Sequence, residues 1–334
     1  MRIKGLARNA RGSALLSVLW LSAALAAIAF SLSTTVRGET ERTSTAIESL
    51  RGYYLGVGAV QRARIELLWS VQNPNKRVIP KGSTFVDYEF PSGVSHVEFL
   101  PEASKLNVNT VPVQDLNKLI LALGIEPGRA QEITEAIDDW RRVPDGGTSR
   151  FDGHYLSLTP SFQSPHASLQ EIEELLLVQG VTPDIFYGTY VPSEDYTSGN
   201  PAAGARLVPR GGLIECLSVY GAKDKVDANT ARPAVLTAVG LSPYAISALL
   251  DRRKTKPLTQ QELGDFMASV GGNADRLRTE GNSILTIRAT SRIMLPDGKL
   301  SDLRRTVSAV VKYMQPGADS IIEILRWYDT SWSN

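Results

Sequence analysis

The N-terminal part of the chain carries a long run without charge. From residue 13 to residue 36 there is no charged side chain, and Leu, Ala, Val, Ile and Trp dominate. A helix rises about 1.5 Å per residue, so roughly 20 apolar residues cross the ~30 Å hydrocarbon core of a bilayer. The preceding Arg2, Lys4, Arg8 and Arg11 favour a cytoplasmic leader. We therefore predict a membrane anchor helix that includes Leu15, Leu16, Val18, Leu19, Trp20 and Leu21.

Beyond the anchor, apolar residues continue at the three- and four-residue spacing of one helix face. The helix is predicted to break near Asn73-Pro74-Asn75. The pattern predicts one long helix, part membrane and part soluble, whose apolar face holds Ile47, Leu50, Tyr54, Val57 and Val60.

Alternating apolar and polar residues predict strands at both ends of the remaining chain. Residues 85–90 and 96–99 form the first pair, with a turn at 91–93, and residues 285–290 and 306–313 form the second. A long helical pattern separates the two pairs. The simplest arrangement is one antiparallel sheet interrupted by a large insertion, which is an α+β fold.

The insertion repeats itself. Asn-Thr residues that can cap a helix, followed by an apolar-Gly-apolar-x-Pro hairpin, occur twice, at 105–110 with 123–127 and at 225–230 with 239–243. A third hairpin is predicted at 178–183, after a helix at 169–177. The pattern is typical of helix-hairpin-helix modules.

The junction Arg11-Gly12-Ser13 directly precedes the uncharged run. A short basic leader that ends in Gly before an apolar helix resembles the type III signal of type IV pilins and pseudopilins. That resemblance implies that a prepilin peptidase cuts between Gly12 and Ser13 and methylates the new N-terminus. A plain signal anchor fits the same hydropathy.

Pilins and most pseudopilins carry Glu at the fifth mature position, where this chain has Ser17. The K component of the type II secretion system typically lacks that Glu, and the order of leader, anchor, split sheet and insertion resembles this family of minor pseudopilins. Ser17 as a merely tolerated residue is the alternative.

The resemblance implies a subunit in the bacterial inner membrane with its C-terminal domain in the periplasm. Its partners would be the I and J minor pseudopilins and the major pseudopilin, and it would cap the pseudopilus tip and help to initiate assembly for protein export. The implied fold is α+β, with a long N-terminal transmembrane helix, a pilin-like antiparallel sheet and a large inserted all-α helix-hairpin-helix-like domain. The predicted boundaries are leader 1–12, anchor 13–36, pilin-like parts 37–103 and 282–334, and insertion 104–281.

An acidic, Gly-rich segment follows the first hairpin. Carboxylates on such a loop can hold calcium, and the family resemblance implies a calcium site in this long loop. Arg141 and Arg142 stand where further acids are expected. The candidate ligands are Asp139, Asp145 and Asp152.

Two other functional classes are compatible with parts of the sequence. A membrane-anchored DNA receptor is the main alternative, because helix-hairpin-helix modules often bind DNA; however, Glu126 lies in the first turn and the net charge is only +1, so no nucleic acid is expected. A generic anchored scaffold also remains.

Cys216 is predicted to be buried, the three His are widely spaced, and no catalytic motif is present, so we expect no enzyme activity.

Overall fold

The computed structural model describes residues 10–73, 75–80, 83–143, 146–147, 149–192, 207–279, 283–314 and 321–330. Its helices are α1 (Ala10–Gln72), α2 (Val113–Ala122), α3 (Pro127–Trp140), α4 (Asp152–Ser157), α5 (Pro183–Phe186), α6 (Pro233–Ala238), α7 (Pro243–Thr255) and α8 (Gln260–Ser269). Its longer strands are β1 (Phe85–Phe90), β2 (Gly93–Pro101), β9 (Ile284–Ile293), β10 (Arg305–Tyr313) and β11 (Ile322–Tyr328). The shorter strands are β3 (Leu106–Asn107), β4 (Thr189–Pro192), β5 (Leu207–Arg210), β6 (Leu217–Ser218), β7 (Val226–Asp227) and β8 (Leu277–Arg278).

The five longer strands form one antiparallel sheet in the order β1-β2-β9-β10-β11. Strands from before and after the insertion therefore pair directly, with Val97 opposite Ala289 and Ala289 opposite Val307. The predicted α+β class is confirmed. The predicted domain boundaries stay predictions, and residue 281 lies outside the described residues.

Strand β11 was not predicted. The pairing between β10 and β11 shifts at Val310/Val311, because Val310 faces Arg326 while Val311 faces Ile324. This leaves Leu325 as an extra residue in a β-bulge. The bulge interrupts the two-residue alternation on which a strand prediction depends.

Helix α1 packs on the sheet through small residues. Its buried positions include Ala59, Val60 and Ala63, which share a core with Val97 and Ala289. Gly56 lies against Val307, and Gly52 lies against Arg305. Small side chains at these positions let the helix backbone approach the strands closely.

The predicted apolar face of α1 is not the face that meets the sheet. Of its five members only Val60 is fully buried, while Ile47, Leu50 and Tyr54 are 46%, 56% and 64% exposed. The predicted residues do form one apolar stripe on the helix, but most of that stripe is exposed. The size of the side chains decides which side of the helix packs on the sheet.

The insertion has its own core, built mainly by α2, α3, α6, α7 and α8. It also contains three two-stranded pairs, β3-β6, β4-β5 and β7-β8, which the sequence patterns did not predict. The helix predicted at 169–177 is shorter in the structure, where Ile172–Leu177 forms a 3-10 helix. The third hairpin is completed by the single turn of α5.

The two repeats fold in the same way. The Asn109 amide donates to Leu169 O at 2.9 Å and accepts from Leu169 N at 2.8 Å. In the second copy Asn229 makes the same pair of bonds with Leu258, at 3.0 and 2.8 Å. The Asn-Thr pairs were expected to cap helices, but α2 and α6 begin after Pro112 and Arg232. The asparagines instead fasten a distant backbone segment to each module.

Polar contacts join the insertion to the sheet. Glu102 is only 2% exposed, and its carboxylate accepts from Thr286 Oγ1 at 2.6 Å and lies 3.6 Å from Lys105 Nζ. Arg326 on β11 pairs with Glu171 of the insertion. A buried carboxylate needs such partners, so these contacts fix the insertion against β9 and β11.

Two neighbouring glycines of α1 provide a matched test of this packing. A Cβ at residue 56 would lie 2.3 Å from Val307 Cγ2, whereas nothing lies within 4 Å of a Cβ at residue 58. We expect Gly56→Ala to lower the free energy of unfolding by about 1–3 kcal/mol, as overpacking does. Gly58→Ala should raise it by roughly 0.5–1 kcal/mol, because Ala favours a helix. Urea denaturation of the detergent-solubilised chain measures both changes, and equal effects of the two variants would contradict the packing described.

Candidate assembly surface and acidic loop

The N-terminal part of α1 has the properties of a membrane anchor. Among the described residues, α1 is the one helix long and apolar enough to cross a bilayer, and no residue of its most apolar stretch is buried. The predicted anchor side chains are all exposed, from Leu16 at 59% to Leu15 at 77%. Ser17 lies on this exposed helix. Gly12 and Ser13 lie in its first turns, but their side chains are outside the described residues.

The soluble part of α1 displays a second apolar feature, which we call the outer stripe: Ile47, Leu50, Tyr54, Ile65 and Trp69. These residues recur at helical spacing on the side of α1 away from the sheet, and each is 46–64% exposed. Large apolar surface left in solvent on a folded protein indicates an interaction site. The outer stripe is therefore the candidate assembly surface.

A groove lies beside the middle of the outer stripe. It has a volume of about 670 Å³ and lies between α1 and the β1–β2 turn with the end of β9. Gly58 forms part of its floor, and its walls include Leu50, Tyr54, Phe90 and Met294. Because Gly58 has no side chain, an approaching helix could come close to α1 at this point.

Polar contacts fix the soluble part of α1, which we call the stem, against the sheet behind this surface. Glu66 accepts from Tyr88 Oη at 2.5 Å and from Arg62 Nε at 2.9 Å, and the Arg62 guanidinium lies 4.3 Å from the centre of the Tyr88 ring. Burial, and then the bond to Glu66, raise the pKa of Tyr88. Near the membrane side, Glu48 accepts from Ser301 Oγ at 2.9 Å. The outer stripe is thus presented on a helix fixed at both ends of its contact with the sheet.

The acidic loop lies between α3 and residue 166. Its first carboxylate, Asp138, is engaged by Arg141 at 2.7 Å and by Arg142. Arg141 also donates to Val108 O at 2.7 Å and has a side chain only 7% exposed. The two arginines that stand in place of expected acids therefore neutralise Asp138 and tie the end of α3 to β3.

His166 lies between the two described candidate ligands. Its Nε2 is 3.0 Å from Asp152 Oδ1, and its Nδ1 is 3.1 Å from Asp139 O and 3.6 Å from Asp139 Oδ2. Burial alone would lower the pKa of His166, but the bonds to the Asp139 carbonyl and the Asp152 carboxylate raise it on balance. The sequence does not predict this position for His166, because a single His far along the chain from both aspartates carries no spacing signal.

Two of the three candidate calcium ligands approach the same imidazole, and the calcium site stays a prediction. Calcium takes about 6–8 oxygen ligands at ~2.3–2.6 Å, and an imidazole lies between the carboxylates here. Asp152 Oδ2 accepts from Ser149 N at 3.3 Å, while Asp139 Oδ2 is buried without a hydrogen-bond partner. No three His, Cys, Asp or Glu side chains of the described residues converge on one point. Asp145, the third candidate, lies outside the described residues.

Side chains in the first two hairpins cap the helices that follow them. The Glu126 side chain caps α3 by accepting from Gly128 N at 2.9 Å and Arg129 N at 3.0 Å, and these two bonds lower its pKa. Ser242 accepts from Ala245 N in the second hairpin. Each basic residue that the DNA alternative required has a protein partner: Arg129, Arg141, Arg142, Arg252, Arg253 and Lys254. A duplex would have to displace these contacts.

The one cysteine is chemically inert. Cys216 is 1% exposed within the core of the insertion. Burial raises the pKa of its thiol to about 12, so the thiol stays protonated at neutral pH and is no nucleophile.

Comparisons with known proteins agree with the architecture. The profile of the family described as type II secretion system (T2SS), protein K, matches residues 97–188, which run from β2 to just beyond α5. The type II secretion system protein K of Klebsiella pneumoniae is 24% identical over 196 residues, which is 53% of this chain and 60% of that relative.

A solved structure extends the likeness beyond the matched segment. The crystal structure of the GspK-GspI-GspJ complex from the enterotoxigenic Escherichia coli type 2 secretion system contains a chain that aligns with a TM-score of 0.53 and 16% identity. The alignment covers 87% of this chain and 100% of that chain. At this identity the likeness shows a shared fold. The acidic loop and the first hairpin lie inside the segment matched by the protein K profile.

Proposed function

We propose that this chain is a minor pseudopilin that occupies the tip of the pseudopilus of a type II secretion system. It would be anchored in the bacterial inner membrane by α1, with the sheet and insertion in the periplasm, and it would act in protein export as a structural subunit rather than as an enzyme. The observation that carries the proposal is the long α1, whose anchor half is exposed and whose soluble half displays the outer stripe.

The proposed partners are the I and J minor pseudopilins, which are present with the fold relative in the GspK-GspI-GspJ complex, and the major pseudopilin below them. An exposed apolar helix face is buried by packing against other helices. In this proposal the stems of the partner subunits cover the outer stripe.

The tip position has two supports. Ser17 offers no carboxylate to the N-terminal amine of a subunit ahead, and a buried amine needs an ionic partner. The insertion, fixed against β9 and β11, adds a second core beside the sheet and leaves little room for another subunit above. A subunit of this kind ends a heterologous assembly and can serve as its first member.

A matched pair of charge substitutions tests the outer stripe. Leu50 is 56% exposed on α1, and Leu156 is 53% exposed on α4 of the insertion. Leu50→Arg should leave the stability of the isolated chain within about 0.5 kcal/mol, as exposed substitutions do, but abolish co-purification with the I and J subunits and reduce secretion. Leu156→Arg should leave both unchanged. Co-purification of the Leu50→Arg chain at the wild-type level would refute the proposed interface.

The tip position is tested at Ser17. Ser17→Glu supplies the carboxylate that internal pilin subunits carry, so we expect this variant to be incorporated below the tip and to alter pseudopilus length. Ser17→Gln introduces a side chain of nearly the same shape as Glu but without its charge, and should behave as wild type. Fibre length, measured by electron microscopy in cells that overproduce the major pseudopilin, distinguishes the two. Unchanged length and secretion with Ser17→Glu would remove the first support for a capping role.

Processing of the leader is tested by mass spectrometry. In cells with the prepilin peptidase, the mature chain should begin at Ser13 with a methylated N-terminus. Gly12→Val should block the cut, because the resemblance puts a Gly before the scissile bond, whereas Gly5→Val in the same leader should not. An intact N-terminus from cells that process their other pilins would show that α1 is a plain signal anchor.

A further inference from the structure

A cleft, which we call the sheet cleft, lies on the face of the sheet opposite α1. Ile287, Ala289 and Ala309 share a core with α1, and the residues between them point the other way because side chains alternate along a strand. The sheet cleft has a volume of about 700 Å³ and lies between this second face and the insertion. Partners that cover the outer stripe would therefore leave it open.

The walls of the sheet cleft are mainly apolar and aromatic. Three tyrosines line it, Tyr187 and Tyr220 from the insertion and Tyr328 from β11, together with aliphatic side chains such as Leu217 and Val310. Tyr187 is 40% exposed, so its ring is accessible from solvent. The faces of aromatic rings attract cations, and aliphatic side chains bury apolar stems. Walls of this composition suit a positive charge that is carried on an aliphatic chain.

The charged side chains of the sheet cleft leave one negative charge over. Glu173 lines the cleft, and among the described residues no cation forms an ion pair with its carboxylate. The other charged side chains that line the cleft each have a partner of opposite charge, in the pairs Glu102 with Lys105, Glu171 with Arg326 and Arg288 with Glu98. A bound cation would restore the balance of charge.

The surroundings of Glu173 disfavour its negative charge. Burial raises the pKa of Glu173, and the nearby Glu171 carboxylate adds to this, although the backbone N–H of Glu173 and the charges of Arg326 and Lys105 oppose the shift. Burial also raises the pKa of Tyr328, with the Glu173 charge as the next cause. The carboxylate and the phenol are therefore close together. A partly buried carboxylate of this kind is stabilised when a cation pairs with it.

The strand beside the sheet cleft is an edge of the sheet. Among the described residues β11 pairs with β10 alone, so the backbone groups on its other side can receive an extended segment. Such segments add to sheet edges through main-chain hydrogen bonds, while alternate side chains enter adjacent pockets. Arg326 and Tyr328 of β11 line the cleft directly. A polypeptide can therefore use both the edge and the cleft, whereas a free amine can use only the cleft.

We propose that the sheet cleft binds an extended segment of a partner protein and takes up one lysine or arginine side chain of that segment. The cationic head pairs with Glu173, and the aliphatic stem packs against Tyr187 and Tyr328. The backbone of the segment lies along β11. This contact is separate from the outer stripe, because the two surfaces are on opposite sides of the sheet.

Fluorescence anisotropy with the full-length chain in detergent tests this proposal. The probe is a short peptide of valine and threonine residues around one central lysine, labelled with an uncharged fluorophore. Its control has norleucine in place of lysine, which keeps the aliphatic stem without the charge. We expect saturable binding of the lysine peptide with a Kd below about 1 mM, and about tenfold weaker binding of the norleucine peptide. Glu173→Gln should weaken binding of the lysine peptide about tenfold, because a carboxamide offers no charge.

Glu89→Gln is the matched control, because it removes the same charge from an exposed side chain on β1, at the opposite edge of the sheet. This variant should bind the lysine peptide as the wild type does. Tyr187→Leu keeps apolar surface but removes the ring, and should weaken binding about threefold. Leu50→Arg should bind as the wild type, so the result does not depend on the helix interface proposed above.

Equal affinity of the two peptides for the wild type would overturn the proposal. Wild-type affinity of Glu173→Gln for the lysine peptide would do the same, as would the absence of saturable binding at about 1 mM. If Glu173→Gln does not fold, the comparison of the lysine and norleucine peptides on the wild type still decides whether the sheet cleft selects a cation.

Discussion

The close contact between α1 and the sheet is the constraint on which the rest of the structure depends. A helix can lie this near to strands only if the residues between them are small, and α1 provides Gly52, Gly56, Ala59 and Ala63 there. Since each of these buries little apolar area, stability comes from the many close contacts along the interface rather than from large side chains. Leu55 is a large side chain buried at this contact, whereas Leu50, Tyr54 and Trp69 stay exposed on the other side of the helix.

This arrangement separates folding from assembly. The side of α1 that stabilises the single chain is made of small residues, and the side left for partners carries Leu50, Tyr54 and Trp69. A large apolar residue introduced on the sheet side would clash with the strands. Replacement of a large residue on the outer side would leave the fold intact. The same helix can therefore evolve new partners without losing its own packing.

The insertion depends on a different kind of interaction. Its two modules are each closed by one asparagine that bonds both backbone groups of a leucine far along the chain. A buried backbone group without a partner costs about 1–3 kcal/mol, so each asparagine compensates two such groups at once. Glu102 and Arg326 then fix the closed insertion to the sheet.

The sequence predicted whatever follows from regular periodicity. The limits of α1 and the strands β1, β2, β9 and β10 follow from repeats of three to four or of two residues, and the paired hairpins follow from the internal repeat. Strand β11 was missed because its bulge at Leu325 breaks the alternation. The buried face of α1 was missed because periodicity identifies a stripe but not the partner that covers it. The Asn109 and Asn229 clamps were missed because their partners lie far away in the chain.

The acidic loop shows why a family resemblance does not transfer site chemistry residue by residue. Asp139 near the end of α3 and Asp152 at the start of α4 lie on either side of the His166 imidazole, at 3.6 Å and 3.0 Å. Electrostatic balance matters here, because Asp139 Oδ2 is buried without a hydrogen-bond partner and a buried charge must be compensated. The compensating group can be an ion from solution or a side chain of the chain itself. The arrangement of α3, α4 and residue 166 is thus compatible with either source of positive charge, and local side chains select between them.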